Sequence, residues 1–203
     1  MRVEAIWLCG LAAVLKLDMV YAGQFLLSRP TVAGIILGAL TGDLLTGLQL
    51  GLCSELILLD HIPVGGYVPP NGVVCAASAF VLVHVFGVAP PFAFLWGLIM
   101  AVAYSQVEIG LRGHHSGWNP KIEKEVAENP VALNKWVIKA LAQHLGSAFL
   151  CMLAACSGIG IVAAWLWEVM PQALKLGMTA GYGAVPWIGM AVLISNLQPR
   201  RGF

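Results

Sequence analysis

Two carboxylates stand in one apolar stretch, TGDLLTGLQLGLCSELILL at residues 41–59, and their spacing is the first clue to chemistry. Asp43, Gly47, Gly51 and Glu55 recur every four residues, so on an unbroken helix each step drifts about 40° and both acids flank one glycine-lined groove. Glycines 34, 38 and 42 repeat at the same interval, a spacing that lets another backbone approach closely, and packing alone is a sufficient explanation for the glycines. The carboxylates are harder to dismiss. An unpaired one at the centre of a bilayer costs roughly 2.5–3.5 kcal/mol, so each needs compensation. Either Arg29 and His61, which flank the run, pair with the acids, or the acids face a hydrated cavity and bind a ligand rich in donors. Sugar hydroxyls fit that second role, because an ionised Asp or Glu accepts hydrogen bonds from two hydroxyls at once.

DHIPVGGYVPPNG follows at residues 60–72. Its glycines and prolines exclude a helix interior, and Asn71 ends it with an amide that both donates and accepts. Such a segment is either a surface connector or a binding loop that dips inward. No G-x-S-x-G, H-E-x-x-H or P-loop lysine motif occurs, so any covalent chemistry must come from a partner. The five cysteines sit in apolar runs without C-x-x-C spacing and read as packing thiols, and adjacent His114 and His115 read as part of a polar loop. No metal or cofactor is expected.

The elements that carry these residues are membrane segments. The chain has 203 residues, 59% of them hydrophobic and 10% charged, and its mean hydropathy of +0.84 lies outside the range of soluble domains. Residues 73–107, 145–167 and 176–198 contain no Asp, Glu, Lys or Arg, against a spanning requirement of roughly 20 residues. A formal net charge of +1 without a basic patch excludes a nucleic-acid partner. The expected fold is an all-α integral membrane protein of about five to seven membrane segments.

Residues 1–111 are expected to form an N-terminal membrane block, 112–139 a cytoplasmic loop and 140–203 a C-terminal membrane hairpin. Arg2, the apolar Ala5–Leu15 and Val20-Tyr21-Ala22 imitate a cleavable leader, but Lys16 and Asp18 intervene, which favours a retained first segment. Residues 30–59 are too long for one upright span and too short for two, which predicts a broken or re-entrant hairpin with Asp43 near the break; the alternative is one long tilted helix. Val88-Ala89-Pro90-Pro91 divides the next uncharged stretch into two crossings. IEKEVAEN reads as a short surface helix stopped by Pro130. The five Lys/Arg of 112–139, with Arg200 and Arg201, place that loop and the C-terminal tail in the cytoplasm.

Residues 29–72 also resemble membrane component IIC of the mannose/fructose/sorbose class of the bacterial phosphotransferase system. The likeness rests on Arg29-Pro30, Gly42-Asp43, Thr46-Gly47, Glu55-Leu56 and Pro69-Pro70 in the family's order, with a fainter echo in AVPWIGMAVLI at 184–194. It implies a multi-pass permease subunit of the inner membrane that lines the path of a hexose. It further implies a hetero-oligomer with a second membrane component, IID, and cooperation with soluble IIA and IIB components, IIB performing the phosphorylation. The implied substrate-binding set is Glu55, Asp43, Asn71, Thr46 and His61, with Glu55 foremost. The family carries Asp where this chain has Asn71, and its members continue with further membrane segments. Those departures raise a competing expectation, a non-transporting regulatory or anchoring subunit acting through 112–139; a third is an unrelated small-solute transporter sharing only the glycine pattern.

Overall fold

A computed structural model describes residues 3–18, 23–61 and 64–197, and within them every regular element is a helix. In chain order these are α1 (Val3–Leu17), α2 (Pro30–Thr41), α3 (Leu44–Ile57), α4 (Gly72–Phe86), α5 (Pro90–Ser116), α6 (Asn119–Glu128), α7 (Ala132–Val169) and α8 (Gln172–Leu197). Pro90–Ser116, Ala132–Gly160 and Gln172–Leu197 are long and apolar enough to cross a membrane, and α2, α3 and α4 are shorter apolar helices. The all-α membrane architecture is therefore as expected. Val20–Ala22 of the leader-like stretch, and Arg200 and Arg201, lie outside the described residues.

α4 is the hub. Residues 73–82 are all buried, and α1, α2, α3, α5 and α7 pack around the helix. A helix apolar on every side belongs in the centre of a bundle, since it has no face to give to water. Gly87, in the left-handed region at φ 70°, ends it; Pro90 and Pro91 then open α5, so the break falls where the prolines predict.

Residues 30–59 form a helical hairpin, not a single tilted helix. Gly42 adopts φ 78°, the N–H of Asp43 bonds the carbonyl of Gly38 at 2.9 Å, and α3 sets off in the opposite direction. The two arms touch backbone to backbone. A Cβ on Gly34 would run into the carbonyl oxygen of Gly47, one on Gly47 into that of Gly34, and one on Gly51 would stand 2.5 Å from the carbonyl oxygen of Pro30. This corrects one expectation: the glycine stripe between Asp43 and Glu55 is not an open groove, because α2 fills it. Four-residue spacing identifies a face that something approaches closely, and here that something is the neighbouring arm.

Gly47→Val is accordingly expected to destabilise the protein by about 1–3 kcal/mol or more, since only backbone can yield to the added methyls. Thermal unfolding of the detergent-solubilised protein checks this against Gly177→Val, whose site is open. Equal melting temperatures would contradict the packing.

The polar stretch 112–139 is largely helical. It comprises the last turn of α5, all of α6 and the first turns of α7, and α6 covers most of IEKEVAEN as expected. Glu125 Oε2 accepts a bond from Trp136 Nε1 at 3.0 Å and ties α6 to α7. The Lys139 ammonium lies 4.6 Å from the Trp118 ring centre and 5.0 Å from that of Trp136, forming an aromatic and cationic elbow suited to the membrane–water boundary.

Candidate functional site

The C-terminal end of α1, the N-termini of α2 and α4, the C-terminal end of α3 and residues 108–112 of α5 enclose a cavity of about 680 Å³. Three of the five residues expected to bind substrate line it: Glu55, His61 and Asn71. Asp43 and Thr46 do not. They sit at the other end of the hairpin, and twelve residues of α3 at 1.5 Å each put Asp43 about 18 Å from Glu55.

Glu55 answers the N-terminus of α2 from the neighbouring arm. Arg29, at the helix N-cap, provides no side-chain cap; instead Glu55 Oε2 accepts the Thr31 N–H at 3.2 Å, and Glu55 Oε1 lies 3.6 Å from Arg29 Nη1. A carboxylate at the positive end of a helix is stabilised by the aligned peptide dipoles, which helps explain how this charge is tolerated at depth. The pair itself contributes little, because the Arg29 side chain is 56% exposed.

Asn71 is the N-cap of α4, with Oδ1 accepting the Val74 N–H at 3.1 Å, and its own N–H bonds the Ala101 carbonyl at 3.3 Å. The contact with Ala101 fixes its depth. Fifteen residues of α5 separate Ala101 from the helix end at Ser116, so Asn71 lies about 22 Å along the axis from the polar elbow. His61 is exposed at the cavity wall. At the far end, Asp43 Oδ2 is 3.8 Å from His84 Nδ1, whose ring stacks on Phe80 with centroids 5.4 Å apart. Thr46 is half-buried in the first turn of α3. Each acid thus has a nearby cation or potential cation: Arg29 for Glu55, as the sequence suggested, and His84, which it did not suggest, for Asp43.

Sequence reasoning missed the opposite wall. Lys16 of α1 is 2% exposed, its Nζ lies 2.8 Å from Glu108 Oε1, and it donates to the Tyr104 hydroxyl at 2.7 Å. Tyr104 in turn meets Ser147 Oγ of α7 at 3.3 Å, so one polar chain stitches α1, α5 and α7 together. Asp18 closes the corner, its carboxylate accepting the N–H groups of Phe25 at 2.9 Å and Leu27 at 2.7 Å, in a loop where Gly23, Gln24 and Leu26 have positive φ. The available signal was a Lys and a Glu bordering the apolar stretches of α1 and α5, since an ionisable residue at such a position marks a functional or paired site by default.

The cavity therefore offers a partly exposed carboxylate, a buried amide, cationic donors and apolar lining that includes Val68 and Pro69. This composition suits a small polyhydroxylated molecule, and the volume falls within the range of small-ligand sites, roughly 300–1,000 Å³. Among the described residues no group of three or more His, Cys, Asp or Glu side chains is gathered for a metal.

Comparison with known proteins gives a consistent picture. The family model described as the PTS system sorbose-specific IIC component matches residues 3–201. The chain is 27% identical over 196 residues to N-acetylgalactosamine permease IIC component 1 of Escherichia coli (strain K12), covering 94% of this chain and 72% of that one. Among solved structures, one titled only as a membrane protein superposes with a TM-score of 0.80, and a mannose transporter ManYZ in complex with microcin E492 superposes with 0.59. Each is 17% identical and covers 98% of this chain and 81% of its own, a likeness that shows the fold.

Proposed function

This chain belongs to the family of PTS sorbose-specific IIC components, and on that premise we propose that the cavity bounded by Glu55 and Asn71 holds the sugar during uptake. It is a multi-pass protein of the inner membrane and a permease component of the phosphotransferase system. The observation that carries the sugar-site reading is the meeting of Glu55 and Asn71 on one cavity large enough for a pyranose. Glu55 accepts sugar hydroxyl bonds, the amide of Asn71 supplies a donor, and His61 stands at the wall. Asp43, paired with His84 at the hairpin tip, and Thr46 have supporting roles outside the cavity.

A second membrane component of the IID type covers part of the apolar face of α7 and α8, where Trp165, Leu176, Trp187 and Ile194 are exposed. The polar elbow of α5, α6 and α7 faces the cytoplasm, as its lysines require, and soluble IIA and IIB carriers reach the cavity from that side. Phosphorylation belongs to the carrier. The sugar is of the hexose or amino-sugar kind, in keeping with the names of the N-acetylgalactosamine permease and the mannose transporter.

The test is phosphoenolpyruvate-dependent uptake of labelled mannose and N-acetylgalactosamine in cells that lack their own systems and carry this chain with IID and IIB partners. Uptake that disappears when this chain is omitted is the expected result. No uptake of either sugar, with the complex assembled, would favour a regulatory subunit instead.

A further inference from the structure

Three cations, Lys16, Arg29 and Arg112, and three carboxylates, Asp18, Glu55 and Glu108, line the cavity. Nearly all are already engaged. Lys16 is held by Glu108, Arg29 stands against Glu55, and Asp18 is wrapped by backbone N–H groups. Arg112 differs: among the described residues no carboxylate lies within ion-pair distance of its guanidinium.

Its position is equally specific. Glu108 and Arg112 are four residues apart on α5 and share a helix face. Glu108 is buried and Arg112 exposed, so the arginine stands one turn nearer the polar elbow, at the mouth of the cavity. Two helix N-termini open deeper into the same cavity, since Pro30 and Gly72, the first residues of α2 and α4, also line it, but the α4 end lies beside Ala101, about 16 Å along α5 from Arg112, and does not act at the mouth. Glu55 offsets the first. The second is capped only by the neutral amide of Asn71. A neutral sugar gives a spare guanidinium little to bind, whereas a phosphoryl group matches its fork of donors.

We propose that Arg112 forms an anion subsite at the cavity mouth that binds the phosphoryl group of the sugar phosphate, before this product leaves toward the cytoplasm. The inference rests on the sugar-site reading and concerns binding of the product, not the transfer step. It makes Arg112 a specificity residue that separates phosphorylated from free sugar.

The test is calorimetric titration of the purified complex of this chain and its membrane partner with mannose 6-phosphate and, separately, with mannose. Arg112→Gln is expected to weaken mannose 6-phosphate about tenfold or more while leaving mannose within about twofold, with Arg112→Lys recovering part of the loss. Unchanged affinity for mannose 6-phosphate in Arg112→Gln, an equal loss for both ligands, or no binding of mannose 6-phosphate to the wild type would each overturn it. A Glu55→Gln arm separates the two readings. If mannose binding ignores Glu55 while mannose 6-phosphate still depends on Arg112, the sugar site is wrong and the anion subsite stands; if only the Glu55 dependence appears, the subsite alone falls.

Discussion

Lys16→Met is expected to lower the stability of the protein by about 3–5 kcal/mol, the largest effect of any single substitution considered for this fold. The side chain is 2% exposed, and its ammonium serves both the Glu108 carboxylate at 2.8 Å and the Tyr104 hydroxyl at 2.7 Å. Removing it leaves the buried Glu108 carboxylate without its ammonium partner, and Arg112, one turn away on the same helix face, is exposed and outside ion-pair distance of it. The double variant Lys16→Met with Glu108→Leu should recover most of the loss, because an apolar pair of similar volume needs no compensation. Thermal or denaturant unfolding of the wild type, both single variants and the double variant in nanodiscs measures the coupling. Additive losses, with no recovery in the double variant, would show that the two side chains act separately and that the chain from α1 through α5 to α7 does not hold this wall.

Glu55→Gln is expected to weaken hexose binding by roughly 10- to 100-fold, the difference between a charged and a neutral acceptor for sugar hydroxyls. The substitution is conservative where structure is concerned. A glutamine oxygen can still accept the Thr31 N–H, so α2 keeps its N-terminal partner, and the lost contact with the largely exposed Arg29 costs about 0–1 kcal/mol. Asp43→Asn, by contrast, is expected to change affinity less than twofold. Asp43 is about 18 Å away along α3 and faces His84, so any effect on uptake would arise from the hairpin tip.

Much of the hairpin was legible in residues 30–59. A run of that length between a proline and a loop cannot be one upright span, and the break falls at Gly42-Asp43, where Asp43 was expected to lie. The prolines at 90 and 91 and at 130 marked boundaries equally well, because proline acts locally, through its own ring and missing N–H. The contents of the glycine stripe were not legible. Periodicity tells which residues share a face, but not whether a ligand or a neighbouring backbone occupies it; in this fold the neighbour wins along Gly34, Gly47 and Gly51.

The same limit explains the two acids. Asp43 and Glu55 do stand at the two ends of one stripe, but that stripe is about 18 Å long and crosses from one environment to another. Only Glu55 reaches the cavity, and only because α3 ends beside the N-termini of α2 and α4. Lys16 and Glu108 are 92 residues apart in the chain, and nothing local couples them; their pairing appears only when α1 lies against α5. Each charge was visible at the end of an apolar stretch, and its partner was not. Asn71, read from the sequence as a loop-ending amide, proves in the structure also to cap α4 through the Val74 N–H.

The most direct test of the sugar site is a hexose titration of the purified complex, run in parallel on the wild type, Glu55→Gln and Asp43→Asn. The expected result is a saturable affinity for mannose or N-acetylgalactosamine in the wild type, retained by Asp43→Asn and lost by at least tenfold in Glu55→Gln. Equal affinities in the wild type and Glu55→Gln, or a loss confined to Asp43→Asn, would place the sugar elsewhere and contradict the assignment of the cavity.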